Sequence, residues 1–170
     1  MDIAKISAGK NFPKEVNVVI EIPQGSSVKY ELDKTSGALM VDRFLYTATV
    51  FPFNYGFIPQ THAKDGDPED VLVISSFPVN SGSIIAARPV GMLEMEDEAG
   101  QDSKIIAVPT EKIDPCFAKV QDIGDLDDPT KNKIKHFFET YKQLEPGKWV
   151  KVKEFLNKEK ALQEISKSQS

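Results

Sequence analysis

Short runs of alternating or continuous apolar residues occupy the first two thirds of the chain and predict β-strands. One strand is predicted from Asn17 to Ile22, and apolar and charged residues alternate at the two-residue period of a strand over 28–33. The polar stretch Asp33 to Gly37 is typical of a turn, and an apolar run from Ala38 to Leu45 follows it. The pattern therefore predicts a β-hairpin. Further strands are predicted at Val71 to Ser75, Ser83 to Met95, Lys104 to Val108 and Trp149 to Phe155.

The last third of the chain has the periodicity of helices. Asp128 is a suitable N-cap, and Pro129 fits the first helical position because its missing N–H has no partner there. Apolar residues then recur at steps of three and four as far as Leu144, and Pro146-Gly147 is expected to end the helix. A second, weaker helix is predicted from Asn157 to about Ile165, with frayed residues after it. Strands followed by helices indicate an α+β fold, a small closed sheet with helices packed outside.

Composition narrows the classes of protein that fit this pattern. The 170 residues suit a single domain over 1–170, and 26 acidic residues against 21 basic ones give a net charge of −5. That sign is the opposite of what a general nucleic-acid or anionic-membrane binder carries, so neither partner is expected. The single cysteine excludes an intramolecular disulfide. No apolar run suits a secretory signal or a membrane span, so a cytoplasmic location is expected.

The segment Asp65-Gly66-Asp67-Pro68-Glu69-Asp70 carries the clearest chemical signal in the chain, with four carboxylates in six residues. Gly66 and Pro68 prevent a regular helix, so the segment is predicted to be a loop that leads into a strand. Carboxylates this close repel one another unless a cation compensates them or water solvates them fully. An EF-hand does not fit, because loop positions 6 and 12 would be Asp70 and Ser76.

A second acidic cluster, Asp97 to Asp102, lies on a predicted connection between strands and contains Gly100. Two acidic loops at strand ends could converge across a small sheet. Their oxygen-only ligands would favour Mg²⁺, Mn²⁺ or Ca²⁺ over Zn²⁺. Solvated acidic turns remain the alternative interpretation at this point.

Cationic and phenolic residues could face these loops. If Lys29 pairs opposite Val41, then Lys29, Glu31 and Arg43 share one face of the hairpin, which is either a phosphate-binding wall or simply the solvent face. The forked donors of arginine suit phosphate oxygens. Tyr55 lies in an aromatic-rich segment, Pro52 to Gly56, that is predicted to be a turn. For Tyr141, which precedes Lys142, packing in the core is the alternative to a role in binding.

The residues resemble those of soluble family I inorganic pyrophosphatases of the bacterial type. The segment Asp65 to Val71 matches the family signature D-[SGDN]-D-[PE]-[LIVMF]-D-[LIVMGAC] except at Glu69, where the pattern has an apolar residue. The resemblance extends over nearly the whole chain. It includes Lys29-Tyr30-Glu31, the segment Gly37 to Arg43, Arg88-Pro89-Val90-Gly91 and Gly147-Lys148-Trp149-Val150.

The resemblance implies a small OB-like five-stranded β-barrel with flanking helices, and Mg²⁺-dependent hydrolysis of pyrophosphate to two phosphates. Asp67 would be the general base. Three or four Mg²⁺ ions would bind per site, with Mn²⁺ or Zn²⁺ as possible substitutes, and the chain would form a homohexamer with His136 near a subunit contact. The metal ligands implied are Asp65, Asp70, Asp97, Asp102, Glu21 and Glu31. The phosphate contacts implied are Lys29, Arg43, Tyr55, Lys104, Tyr141 and Lys142.

One residue departs from the family pattern. Family members often have a tyrosine where this chain has Phe51, which offers no hydroxyl. Two alternative functions also remain at the level of the residues alone: an OB-type nucleic-acid-binding module and a Ca²⁺-stabilised structural domain. The acidic composition argues against the first alternative.

Overall fold

The fold is built around a closed ring of five strands, in a computed structural model that describes residues 5–64 and 66–169. The strands of the described residues are, in chain order, β1 (Val16–Ile22), β2 (Val28–Leu32), β3 (Leu39–Phe44), β4 (Asn54–Phe57), β5 (Asp70–Val73), β6 (Ile84–Asp97), β7 (Gly100–Gln101), β8 (Lys104–Pro109) and β9 (Val150–Asn157). The α-helices are α1 (Asp128–Thr140) and α2 (Lys158–Lys167). Short 3₁₀ turns at Pro115–Phe117 and Ile123–Asp125 lead into α1.

Strand pairing closes the ring in the order β1, β4, β5, β8, β6 and back to β1. Only β5 and β8 run parallel among the pairs of the described ring, and the other pairs are antiparallel. With its 14 residues, β6 is long enough to pair with β1 at its start, β8 in its middle and β9 towards its end. β2 and β3 form a separate hairpin. The predicted α+β class with a small closed, OB-like sheet is therefore confirmed.

Side chains on both faces of the ring strands are buried, which explains their continuous apolar runs. On β5, for example, Leu72 belongs to the cluster that contains Phe137 and Phe138 of α1, whereas Val71 and Val73 belong to a second cluster with Ile165 of α2. Each helix thus covers a different hydrophobic cluster. The arrangement leaves the strand ends on one side of the ring free to carry polar groups.

The predicted turn at Pro52 to Gly56 is wrong, because Asn54–Phe57 forms strand β4. All four of its residues are buried, so the two-residue alternation that marks a strand is absent from the sequence. Gly56 allows β4 to lie against β1, since a Cβ atom at this position would be 1.9 Å from the carbonyl oxygen of Val19.

The predicted hairpin forms, but its predicted register is wrong. Lys29 lies opposite Arg43 rather than Val41, and Tyr30 lies opposite Val41. The register shifts between Lys29 and Tyr30, which leaves Asp42 as an extra residue on β3. Such a bulge cannot be read from alternating polarity.

The helix ends also differ from the prediction. The N-cap of α1 is Asp127, whose side chain accepts a hydrogen bond from the backbone N–H of Thr130 at 2.7 Å, and the helix ends at Thr140. Leu144 is exposed beyond that end, so its match to the apolar spacing was coincidental. Residues 166–169 are not frayed: α2 continues to Lys167, Ser168 is buried, and Gln169 pairs with Thr61. Ser170, which was also predicted to be frayed, lies outside the described residues.

Candidate active site

A cleft of about 780 Å³ opens between the hairpin, the strand ends on one side of the ring and the segment that follows α1. Every predicted site residue in the described part of the chain lines this cleft. These residues are Glu21, Lys29, Glu31, Arg43, Tyr55, Asp67, Asp70, Asp97, Asp102, Lys104, Tyr141 and Lys142. Asp65, the remaining predicted metal ligand, lies outside the described residues.

The ring topology explains why acidic residues far apart in sequence meet here. Asp70 is the first residue of β5 and Lys104 the first of β8, and parallel strands begin at the same edge of a sheet. β6 runs antiparallel to β8, so its last residue, Asp97, arrives at that same edge. Asp102 lies in the short connection between them. The two acidic loops therefore converge because of strand direction.

Lys104 is the electrostatic centre of this edge. Its Nζ lies 2.6 Å from Oδ2 of Asp70 and 2.5 Å from Oδ1 of Asp102, and the residue is only 3% exposed. Burial by itself would lower the pKa of Lys104, but the neighbouring charges, led by Asp70, hold it well above the ordinary value. Burial raises the pKa of Asp102, and Lys104 offsets only part of that rise.

Tyr55 packs beside this ion cluster. The Lys104 Nζ is 5.8 Å from the centre of the Tyr55 ring. Burial raises the pKa of the Tyr55 phenol well above its usual value, and the charge of Asp70 adds to the effect. The hydroxyl therefore stays protonated at neutral pH and can donate a hydrogen bond. Phe51 packs against Tyr55 with ring centres 5.4 Å apart, and it supplies packing without a hydroxyl.

Glu21 contributes a carboxyl group with an unusual proton affinity. Its Oε1 accepts a hydrogen bond from the backbone N–H of Leu32 at 2.7 Å. Burial, with a smaller contribution from the charge of Asp70, raises the pKa of Glu21 from 4.5 to about 7. The group thus keeps a proton at mildly acidic pH unless a cation stabilises its charged form.

The segment after α1 supplies the opposite wall. Lys142 Nζ lies 2.9 Å from Oδ2 of Asp97, and both side chains are mostly buried. Burial alone would raise the pKa of Asp97, but the hydrogen bonds from Lys142 and from the backbone of Ala99, together with the charges of Lys142 and Lys104, outweigh burial and lower the pKa. Tyr141 stacks on Phe137 and also reaches the cleft, so the packing and binding interpretations of this residue are compatible. Burial raises its pKa as well.

Asp67 and the hairpin are more open to solvent. The Asp67 side chain is 72% exposed, and Nζ of Lys34 lies 2.6 Å from its Oδ1. On the hairpin, Lys29 contacts Glu31 and lies 3.2 Å from Asp42. The hairpin wall therefore carries charges of both signs rather than cations alone.

Sequence reasoning missed several charged residues that belong to the cleft or to its walls. Lys34, Glu98, Glu145 and Lys148 line the cleft, and Asp42 contacts both Lys29 and Arg43. Asp42 is the bulge residue, and Glu145 lies in an irregular turn. Neither position has a local pattern that distinguishes it from a solvated charge, so only the folded contacts reveal them.

The donors present suit a hard divalent cation. The carboxylates at the strand ends offer oxygen ligands alone, which is the set that Mg²⁺ and Ca²⁺ prefer. Within residues 5–64 and 66–169, however, no three acidic, histidine or cysteine side chains are close enough together to hold a metal ion. Asp70 and Asp102 converge on the Lys104 ammonium. The residues therefore fit a divalent cation in the chemistry and the location of their oxygen donors, but the described side chains are not arranged around a metal position.

Comparison with known proteins gives one consistent family. The family model described as inorganic pyrophosphatase matches residues 18–170. An inorganic pyrophosphatase of Aquifex pyrophilus is 57% identical over 167 residues, which are 98% of this chain and 94% of the relative. One from Gluconobacter oxydans is 60% identical over 161 residues, or 95% and 93% of the two chains.

A solved structure leads to the same family. The inorganic pyrophosphatase of Helicobacter pylori superposes with a TM-score of 0.93 at 55% identity, and the match covers 96% of each chain. Over the residues that the structure describes, no helix combines the length and the apolar character needed to cross a bilayer.

Proposed function

Because this chain belongs to the inorganic pyrophosphatase family, we propose that it hydrolyses inorganic pyrophosphate to two phosphates. The cleft is the observation that carries the proposal. Cationic and phenolic donors such as Arg43, Lys142 and Tyr55 line it together with carboxylates at the strand ends. A polyanion held with divalent cations needs both kinds of group, and phosphoryl transfer depends mainly on positioning and charge neutralisation.

Family membership implies a divalent metal cofactor, and we assign Mg²⁺ to this role. By the motif match, Asp65, Asp70 and Asp102 would hold the most tightly bound ion, and Asp70 would also serve a second ion. Asp97, Glu21 and Glu31 serve the others, to a total of three or four, with Mn²⁺ or Zn²⁺ as substitutes. When bound, the ions lower the pKa of a coordinated water and neutralise phosphate charge. The position of Glu21 in the cleft, with the charge of Asp70 nearby, supports this assignment, because a cation would stabilise both carboxylates.

The chain's own residues have distinct roles in this proposal. Asp67, whose carboxylate is exposed to the cleft, accepts the proton of the attacking water. Lys29, Arg43, Tyr55, Lys104, Tyr141 and Lys142 donate to phosphate oxygens. An ammonium group has three donors. Lys104 directs donors at two aspartates and Lys142 at one, so each retains capacity for a phosphate oxygen.

Phosphate release from pyrophosphate, with and without Mg²⁺, tests the proposal. We expect Mg²⁺-dependent release from the native chain. Asp70→Ala should abolish it at millimolar Mg²⁺, because two ions lose a ligand. The control is Asp128→Asn, which removes an exposed carboxylate outside the cleft. Absence of release from the native chain with Mg²⁺ would reject the function.

Two binding measurements address the alternative functions. Filter binding of single-stranded DNA would favour the nucleic-acid-binding module if it were tight. Tight Ca²⁺ binding with a rise in melting temperature, but without phosphate release, would favour the structural domain. By resemblance to the family, we expect Ca²⁺ instead to inhibit phosphate release.

We also propose that residues 1–170 act as one catalytic domain, located in the cytoplasm and assembled as a homohexamer. Exposed apolar side chains on and after the hairpin, among them Met40, Val41, Phe44 and Tyr46, support association with other copies. His136 is expected near a subunit contact. Sedimentation velocity at micromolar concentration distinguishes a hexamer from a monomer of 18.9 kDa.

A further inference from the structure

Glu145 is a mostly buried carboxylate in the turn that follows α1, and no motif singles it out. Its side chain is 9% exposed, and its Oε1 lies 3.0 Å from Nε of Arg43. The second oxygen, Oε2, is buried without a hydrogen-bond partner in the described structure. A buried carboxylate is costly unless it is paired, so this pair accounts for its charge.

Backbone hydrogen bonds hold Glu145 in a turn on the cleft wall. Its N–H donates to the carbonyl oxygen of Lys142 at 3.0 Å, and its own carbonyl accepts from the N–H of Lys148 at 3.2 Å. Lys142 is itself one of the proposed phosphate contacts. The turn therefore carries the carboxylate and a phosphate-binding ammonium group in one fixed arrangement.

The guanidinium group of Arg43 has acidic partners at Nη1 and Nε, whereas its Nη2 end has none among the contacts of the described residues. Asp42 contacts Nη1, and Glu145 lies beside Nε. The Nε N–H is not aligned with the carboxylate, so attraction between the charges holds this contact rather than a well-aligned hydrogen bond. Burial alone would lower the pKa of Arg43, and Glu145 supplies the largest opposing charge. The Nη2 end remains for an oxyanion in the cleft.

We propose that Glu145 is a positioning residue, which orients the Arg43 guanidinium so that its Nη2 end meets a phosphate group of the substrate. The proposal rests on the proposed pyrophosphate hydrolysis for its substrate. Asp42 cannot replace Glu145 in this role, because it is more exposed and is shared with Lys29. The Glu145 carboxylate lies on the Nε side, so it does not compete with phosphate for the Nη2 donors.

The test uses Glu145→Gln, Arg43→Lys and the double variant, with Glu154→Gln as the matched control on the exposed face of β9. Glu145→Gln should lower kcat/KM for pyrophosphate about 10- to 100-fold, the effect expected of a misplaced binding group. In the Arg43→Lys background the same change should cost less than about threefold, because the two residues act through one contact. Glu154→Gln should leave kcat/KM unchanged.

A second readout does not depend on activity. The Nε–H signal of Arg43 in a ¹⁵N–¹H correlation spectrum is identified as the peak lost in Arg43→Lys. In the native chain this signal should exchange slowly with solvent and shift when inorganic phosphate is added. In Glu145→Gln it should exchange faster and shift less. If Glu145→Gln does not fold, Glu145→Asp replaces it, because it keeps the charge but withdraws the carboxylate by one methylene group.

Equal losses of kcat/KM in both backgrounds would show a purely structural role and overturn the proposal. An unchanged Arg43 signal in the Glu145 variant would also overturn it. A native chain that releases no phosphate would reject the proposed function instead. The exchange and phosphate-shift measurements would still decide whether Glu145 orients Arg43 towards an oxyanion.

Discussion

Replacing Glu21 by glutamine should stabilise the metal-free protein, and more so as the pH rises. The folded chain raises the pKa of this carboxyl from 4.5 to about 7, chiefly through burial. Folding therefore favours the protonated form. Stability associated with Glu21 is fully present below pH 4.5, falls as the pH rises through 7, and is lowest above that. Glutamine keeps an acceptor for the backbone N–H of Leu32 but carries no charge.

The pKa values set the size of this effect. One pKa unit corresponds to 1.36 kcal/mol, so the raised pKa of Glu21 should lower the free energy of unfolding by about 3 kcal/mol at pH 8 but by only about 1 kcal/mol at pH 5, where Glu21 ionises in the unfolded chain alone. Any constant cost of burying the glutamine amide is the same at both pH values. The difference between variant and native chain should thus grow by about 2 kcal/mol from pH 5 to pH 8.

Urea unfolding in the presence of EDTA measures this difference at each pH, with Glu154→Gln as the control for an exposed position. Adding Mg²⁺ at pH 8 should reverse the advantage of Glu21→Gln, because the variant loses a proposed ligand. An advantage that is the same at pH 5 and pH 8 would refute the assigned pKa. An advantage of Glu21→Gln that persists in saturating Mg²⁺ would refute its role as a ligand.

Three further substitutions test other parts of the structure. Asp67→Asn should lower the turnover number about 10²-fold at neutral pH, since a general base contributes a factor of this order, while Mg²⁺ binding is retained. Steady-state phosphate release measures the turnover number, and calorimetric titration measures Mg²⁺ binding. Lys104→Met should destabilise the metal-free protein by about 3–5 kcal/mol, because it leaves two neighbouring carboxylates without their buried counter-charge. Chemical unfolding in EDTA measures this loss. Gly56→Ala should prevent folding or destabilise the chain severely, because its Cβ would be 1.9 Å from the backbone of β1, and soluble yield with circular dichroism reports it.

Two of these substitutions have a matched control within the chain, and all three have an outcome that would contradict the reasoning. Asp128→Asn should retain native turnover, and native-like turnover in Asp67→Asn would remove that residue from the role of base. An unfolding free energy of Lys104→Met within about 1 kcal/mol of the native value would mean that the ion cluster is solvated rather than buried. Gly124→Ala is the control for Gly56→Ala, since a Cβ there meets no atom within 4 Å. A stable Gly56→Ala chain would contradict the close approach of β4 to β1.

Much of the candidate site can be predicted from the sequence, because most of its carboxylates are concentrated in two loops. Asp67 and Asp70 lie in one segment, and Asp97 and Asp102 in the other, so local composition indicated either a cation-binding region or solvated acidic turns. The resemblance to pyrophosphatases then favoured cation binding, and it favoured phosphate contacts for the basic and phenolic residues. The roles of these residues remain predictions. These residues lie in one cleft because the strand directions in the ring bring the strand ends to the same edge.

Other features depended on contacts between distant segments. The sequence placed Tyr55 in a turn because β4 is short and entirely buried, so it shows no alternation. The bulge at Asp42 moved the hairpin register by an amount that polarity does not encode. Glu145 precedes Pro146-Gly147, where a carboxylate is usually solvated, and only the folded structure shows its contact with Arg43.

The sequence by itself determined the strands with clear alternation, the two helices and the acidic chemistry, because these depend on residues close together along the chain. The tertiary structure decided which strand ends meet. The parallel pairing of β5 with β8 brings Asp70 to within 2.6 Å of Lys104, although they are 34 positions apart in the chain. It also decided the pKa of Glu21, since desolvation depends on everything packed around the group. Pairing and burial are properties of the whole folded chain, and no local pattern contains them.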